Sequence, residues 1–82
     1  EFYTTACSHC KKLAGALNKL SEEKGDDVFF GKCNIDQEAL LQSRFDISAV
    51  PTLLFIKNGE IKNRLVGEVH PLIIQEEIKK LA

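Results

Sequence analysis

Apolar positions recur with a helical period in two parts of the chain. From about residue 8 to Lys24 they are spaced three or four residues apart, which predicts an amphipathic helix that stops near Gly25. A second such pattern follows Pro71, a residue that suits the first turn of a helix. The apolar positions are Cys10, Leu13, Leu17 and Leu20 in the first helix and Leu72, Ile74, Ile78 and Leu81 in the second.

Four other segments have the composition of β-strands. "EFYTT" (1–5) is rich in aromatic and β-branched residues, and "VFFGKCNI" (28–35) is almost continuously apolar. The second segment therefore predicts a parallel, central strand that is covered on both faces. Residues 52–56 and 61–66 flank Asn58-Gly59, a strong signal for a type I′ hairpin.

The order of these elements predicts an α/β fold. We expect Asp36 to cap a short helix through "QEALLQSRF", so the whole order is β-α-β-α-β-β-α. A helical crossover makes the first two strands parallel, and the hairpin adds antiparallel strands. The result is a central mixed four-stranded sheet flanked by helices on both faces, in a single domain that spans residues 1–82.

Composition excludes several classes of function. With 82 residues, 44% hydrophobic and 28% charged, the chain has the composition of a small globular domain. A net charge of −1 argues against nucleic acid as a partner, and no apolar run is long enough to span a membrane. Three cysteines are too few for a disulfide-stapled scaffold.

Two of the cysteines, Cys7 and Cys10 in "ACSHCKK", stand one helical turn apart. Structural zinc would need a second pair of ligands. Cys33 lies within a predicted strand without a neighbouring ligand, and His70 stands alone before the last helix, so we expect no metal. Covalent haem attachment requires histidine where this chain has Lys11. An inert crosslink and a redox pair both remain open. Position favours the redox pair, because unpaired amides at a helix start stabilise a thiolate.

The segment "EFYTTACSHCKKLAG" resembles the active site of the thioredoxin superfamily, most closely that of protein disulfide isomerase catalytic domains. The remainder, "GKCNID…AVPTLLFIKNGE…RLVG", is more similar to bacterial-type thioredoxins. The family fold has one strand and one helix before the point where this sequence begins. The resemblance therefore implies a thioredoxin-like fold and an N-terminal truncation.

The resemblance also implies a role for each residue of the cysteine motif. Cys7 would be the exposed nucleophile and Cys10 the resolving thiol, in a two-step exchange. Ser8 and His9 would tune the redox couple, and a histidine at this position implies a potential nearer to that of protein disulfide isomerase than to that of thioredoxin. A solvated surface histidine is the alternative for His9.

Five further positions match functional residues of the family. Glu1 would be a buried acid that exchanges a proton with Cys10, and Lys32 would neutralise it; a frayed terminus is the alternative for Glu1. Pro51 matches a cis-proline that leaves the Val50 backbone free to pair with an extended substrate, and a trans proline at the first residue of a strand is the alternative. Gly67 would open the surface beside this groove. The sequence departs from the family at Ala6, where tryptophan is usual, and we expect Cys33 to be a core residue.

Together these features predict a thiol–disulfide oxidoreductase that exchanges disulfides with protein cysteines through a Cys-Ser-His-Cys dithiol and needs no cofactor. We expect a monomer whose partners are protein thiols or disulfides and a recycling reductase or oxidase. The alternative is a non-catalytic thioredoxin-like module that binds peptides. The direction of exchange stays open. The sequence favours the cytoplasm, with the endoplasmic reticulum lumen or periplasm as alternatives.

Overall fold

The chain folds into a four-stranded sheet and three helices, in a computed structural model that describes all 82 residues. The strands and helices follow the predicted order, and a short 3₁₀ turn at Gly25–Asp27 follows the first helix. The bounds are β1 Phe2–Tyr3, α1 Ser8–Lys24, β2 Cys33–Asn34, α2 Ala39–Arg44, β3 Thr52–Lys57, β4 Glu60–Val66 and α3 Pro71–Leu81.

The sheet is mixed, with strand order β2-β1-β3-β4. β1 runs parallel to β2 and antiparallel to β3, and β3 and β4 form an antiparallel hairpin. Asn58 and Gly59 both have positive φ, 54° and 77°, as a type I′ turn requires. The predicted fold class and strand directions are therefore confirmed.

Helices lie on both faces of the sheet. On one face α1 and α3 pack against β3, and the core there consists of Leu13, Leu20, Leu53, Phe55, Ile74 and Ile78. On the other face Phe45, which follows α2, packs against Phe2 in a tilted arrangement with ring centroids 5.7 Å apart. The Arg64 guanidinium on β4 donates hydrogen bonds to the carbonyl oxygens of Phe45 and Asp46 at 2.5 and 3.3 Å, and so fixes the end of α2 against the sheet.

The prediction for residues 28–35 was wrong in its burial and its length. Only Cys33–Asn34 form a strand, and it lies at the edge of the sheet rather than at the centre. The Phe29 side chain is 95% exposed and Lys32 is exposed, because no other strand of the fold lies on the outer side of β2. Cys33 is accordingly half-buried, and not the core residue that we expected.

Two predictions about helix ends and faces were also wrong. Glu38, not Asp36, precedes α2, and the Asp36 amide instead donates to the Asn34 side-chain oxygen in a turn. Leu72 was placed on the buried face of α3 but is 62% exposed, whereas Ile74 and Ile78 are buried. Leu72 lies in the first turn of α3, outside the buried face. That face is formed by Ile74 and Ile78, which are four positions apart on one side of the helix.

Candidate active site

The cysteine pair lies at the start of α1 and is joined by a disulfide bond in this structure. The Cα atoms of Cys7 and Cys10 are 5.2 Å apart, within the ordinary range for a disulfide. Cys10 is 2% exposed, while Cys7 is only partly buried. Of the two sulfur atoms, Cys7 Sγ is therefore the one that a partner can reach.

Local backbone structure explains why Cys7 occupies this position. After the short strand β1 the Cys7 amide donates to the Thr4 carbonyl oxygen at 3.3 Å, and the chain turns into α1. Cys7 is the N-cap of that helix, and its sulfur accepts a hydrogen bond from the Cys10 amide at 3.2 Å. The first turn contains no acidic residue. A thiolate formed here on reduction would face amide donors and the positive end of a 17-residue helix.

The residues between the cysteines are both exposed, and His9 has a partner that sequence reasoning missed. Its Nδ1 lies 2.7 Å from Oε1 of Glu68, in the segment that follows β4. This hydrogen bond is the main reason why the pKa of the Glu68 carboxyl is lowered, and the charges of His9 and Lys12 act in the same direction. The available signal was modest: Glu68 directly follows Gly67, a predicted site residue. Ser8 makes no side-chain hydrogen bond within the chain and faces solvent.

Pro51 lies at the start of β3, and the peptide bond between Val50 and Pro51 is cis. The Pro51 side chain is fully buried, and its carbonyl oxygen accepts a hydrogen bond from the Gly67 amide at 2.8 Å. The Thr52 hydroxyl donates to the Ala49 carbonyl oxygen at 2.6 Å. None of the backbone hydrogen bonds outside the helices and strands involves Val50, so its amide and carbonyl have no backbone partner within the chain.

The cysteine motif and the Pro51 segment are joined through residues 67 and 68. Gly67 is hydrogen-bonded to Pro51, and the next residue, Glu68, is paired with His9. Gly67 has φ 92°, a left-handed conformation that favours glycine. The structure thus brings together seven of the predicted site residues, either in direct contact or as neighbours along the chain: Cys7, Ser8, His9, Cys10, Val50, Pro51 and Gly67.

Glu1 and Lys32 do not form the ion pair that we expected. Lys32 is exposed, and the ion pairs of the structure, defined by an N–O distance within 4.0 Å, do not include it. The predicted strand over residues 28–35 would have covered Lys32, but residues 28–32 are not a strand. Burial raises the pKa of the Glu1 carboxyl, opposed by the positive charges of its own amino group and of Lys32. Its Oε2 is buried and has no hydrogen-bond partner.

The possible metal ligands and the character of the helices also bear on function. No cluster of three or more histidine, cysteine, aspartate or glutamate side chains has the geometry to hold a metal ion. None of the three helices combines the length and the apolar character that crossing a membrane demands.

Comparisons with known proteins indicate the family of this chain. The Thioredoxin family model matches residues 1–80. The chain is 30% identical to thioredoxin from Bacillus subtilis over 80 residues, which cover 98% of this chain and 77% of that protein. It is also 30% identical to the M-type chloroplastic thioredoxin of Spinacia oleracea, again over 98% of this chain but only 44% of the relative. The chain thus spans less than half the length of this relative.

A solved structure shows the same architecture. The oxidized form of mitochondrial thioredoxin 3 from Saccharomyces cerevisiae superposes with a TM-score of 0.87 at 31% identity, over 98% of this chain and 74% of the yeast chain. These relatives are thioredoxins, and the closer resemblance of the motif to protein disulfide isomerases stays a prediction. The match of the family model, the shared fold and the bonded cysteine pair lead to one conclusion: this chain belongs to the thioredoxin family.

Proposed function

We propose that this protein is a thiol–disulfide oxidoreductase that acts on the cysteines of protein substrates. One observation carries the proposal: Cys7 and Cys10 form a disulfide at a helix N-terminus with the first sulfur accessible and the second buried. A structural crosslink has no need of this asymmetry. A two-step exchange needs it, because one thiol must be accessible to attack the substrate and the other must be buried, close enough to resolve the mixed disulfide afterwards.

The reaction proceeds by two sulfur displacements. The Cys7 thiolate attacks one sulfur of a substrate disulfide, forms a mixed disulfide and releases the other substrate sulfur as a thiolate, which takes up a proton. Cys10 then loses its proton and attacks Cys7 Sγ, which releases the second substrate thiolate. Two electrons have passed from the cysteine pair to the substrate, and the Cys7–Cys10 disulfide of this structure is the product. The same steps in reverse oxidise a substrate dithiol.

Substrate binding is assigned to the segment that ends at Pro51. An extended peptide would pair with the free amide and carbonyl of Val50, as in strand addition. Gly67 supports this groove, since its amide holds the Pro51 carbonyl and its lack of a side chain leaves the surface open. Recognition through the backbone suits an enzyme that acts on cysteines in varied sequence contexts.

Proton transfer and redox tuning are assigned to the residues around the pair. Glu1 is the acceptor for the Cys10 proton, and because burial raises the pKa of its carboxyl, it binds a proton more readily than an exposed glutamate does. Lys32 contributes only its charge, which favours the Glu1 carboxylate. Ser8 and His9 set the stability of the Cys7 thiolate, with His9 acting as a nearby cation when it is protonated.

The chain needs a second protein to restore its cysteine pair after each turnover. We assign this role to a reductase or an oxidase, according to the direction of net exchange. We also propose that residues 1–82 act as a single domain and a monomer, since α1, β3 and α3 share one core. Cys33 is a free thiol, and a free thiol is more common in a reducing compartment, which supports the cytoplasm.

The proposal is tested by trapping the mixed disulfide. In Cys10→Ser the second displacement cannot occur, so the variant should accumulate covalent adducts with a disulfide-containing protein, seen as dithiothreitol-sensitive bands on gels. The matched control is Cys7→Ser, which retains Cys10 and Cys33 and should form no adduct. Peptide binding without adducts from Cys10→Ser would support the alternative, a non-catalytic peptide-binding module.

A further inference from the structure

One ion pair ties the cysteine motif to a distant part of the chain. Of the four ion pairs in the structure, three join residues that are two or three positions apart, whereas His9 and Glu68 are 59 positions apart. The contact links the first turn of α1 to the segment between β4 and α3. It is therefore a tertiary contact at the redox site.

This pair controls where the His9 ring lies. The contact to Glu68 Oε1 is the one hydrogen bond that the imidazole makes within the chain. Cys7 Sγ has a different partner, the Cys10 amide. In the disulfide form the imidazole is thus held by the carboxylate. Lys12, one turn further along α1, favours the charged form of that carboxylate.

We propose that Glu68 is a positioning residue that makes the Cys7–Cys10 disulfide harder to reduce, because its carboxylate holds the His9 imidazole and adds a negative charge beside the motif. This inference rests on the proposed function, since it concerns the poise of the same cysteine pair. A residue outside the segment from Cys7 to Cys10 would thus influence the reduction potential of the cysteine pair.

The physical reason is competition for one cation. When a dithiol reduces the disulfide, the dithiol loses two electrons and two protons. Cys7 and Cys10 gain the electrons, and any proton that Cys7 does not keep goes to solvent. The Cys7 thiolate is then a new negative charge near His9, and an imidazolium stabilises it. Glu68 competes for that imidazolium and repels the thiolate.

At a fixed protonation state of the imidazole, removal of the carboxylate acts in one direction. With the imidazole protonated, Glu68→Gln changes the charge of the pair from 0 to +1; with the imidazole neutral, it changes from −1 to 0. In both cases the surroundings of Cys7 become more positive, and the Lys12 ammonium is unchanged. The dithiol form should be favoured. Because the side chains are 67% and 42% exposed, solvent screens the effect and keeps it modest.

The test is the equilibrium between each 82-residue chain and dithiothreitol, followed by alkylation and mass spectrometry. Glu68→Gln should shift the equilibrium constant for reduction of the pair about threefold toward the dithiol, which corresponds to about 14 mV for two electrons. Glu60→Gln is the matched control. It removes the same charge from another exposed ion pair, on the hairpin, and should leave the constant unchanged.

A second variant separates positioning from charge alone. In a chain that carries His9→Asn, Glu68→Gln should also shift the equilibrium constant for reduction of the pair. On a logarithmic scale this shift should be less than half of the shift that Glu68→Gln causes in the native chain. The inference would be overturned if the native chain and Glu68→Gln had equal equilibrium constants for reduction, or if the shift were undiminished in the His9→Asn chain. Either result would leave the proposed function intact. A native chain whose cysteine pair does not equilibrate with dithiothreitol at all would overturn both.

Discussion

The two ends of strand β1 hold their reactive side chains in different ways. Beyond the carboxyl end Cys7 is fixed by the backbone: its amide is bonded to Thr4 and its sulfur caps α1. Beyond the amino end Glu1 has a buried carboxylate oxygen with no hydrogen-bond partner, and Lys32 lies in solvent. The first arrangement depends on residues close in sequence, and the second would depend on a long strand next to β1.

This difference shows what gives a catalytic group its position. A helix start brings its own donors and its own dipole, so a cysteine placed there is oriented by the fold of a few residues. An ion pair such as Glu1–Lys32, between side chains on two neighbouring strands, forms only if both strands extend as far as the paired residues. β2 contains only Cys33 and Asn34, so it does not reach Lys32. We therefore propose that the sulfur chemistry takes place beyond the carboxyl end of β1, and that Glu1 at the other end contributes only proton transfer.

The largest effect expected from this comparison is at Cys7. Cys7→Ser should abolish dithiothreitol-dependent reduction of a disulfide-containing protein such as insulin, because serine cannot act as the leaving and attacking sulfur. Turbidity of the released chains measures this. Cys33→Ser is the matched control, since Cys33 is half-buried and outside the pair, and it should keep the native rate. The reverse ranking of the two variants would contradict the assignment.

A smaller effect is expected in the stability of the two segments that flank β1. Thr52 is 1% exposed and its hydroxyl holds the Ala49 carbonyl, so Thr52→Val should lower the free energy of unfolding by about 1 kcal/mol. Phe29, on the other side, is 95% exposed, so Phe29→Ala should change it by less than about 0.5 kcal/mol. Urea unfolding measures both. A larger loss from Phe29→Ala would mean that residues 28–32 are covered in solution.

The smallest effect concerns the pH dependence at Glu1. Burial raises the folded-state pKa of this carboxyl above its ordinary value of 4.5, so the folded chain binds its proton more tightly than the unfolded chain. The carboxyl therefore costs stability as the pH rises from about 4.5 through the folded-state pKa. Glu1→Gln lacks this loss and should gain stability relative to the native chain over that range. Urea unfolding between pH 4 and pH 7 measures the difference.

A control at Lys32 sharpens that result. The Lys32 charge favours the Glu1 carboxylate, so Lys32→Gln should make the loss of stability with pH larger. If Glu1→Gln and the native chain follow the same pH profile, then the Glu1 carboxyl is not desolvated in solution, and its proposed role in proton transfer fails.

The sequence was most informative where a few adjacent residues decide the structure. Asn58-Gly59 determined the hairpin because both positions must have positive φ, and the apolar spacing from Cys10 to Leu20 determined α1. The position of Cys7 at a helix start followed from the same pattern. These features need no knowledge of distant neighbours.

Prediction failed where burial depends on what lies beside a segment. "VFFGKCNI" has the composition of a covered strand, but composition does not specify a neighbour, and Phe29 is exposed at a sheet edge. Lys32 was misplaced for the same reason. Glu68 was missed because its role comes from a contact 59 positions away, which no local pattern encodes.

The central claim is that Cys7 and Cys10 form a reversible two-electron couple, and its most direct test is their equilibrium in glutathione buffers of graded potential. Alkylation and peptide mapping report the state of each cysteine. We predict one cooperative transition of Cys7 and Cys10 together, with a midpoint between about −270 and −180 mV, the values for thioredoxin and protein disulfide isomerase. A pair that stays in one state across this range, or a transition at Cys33 instead, would contradict the account.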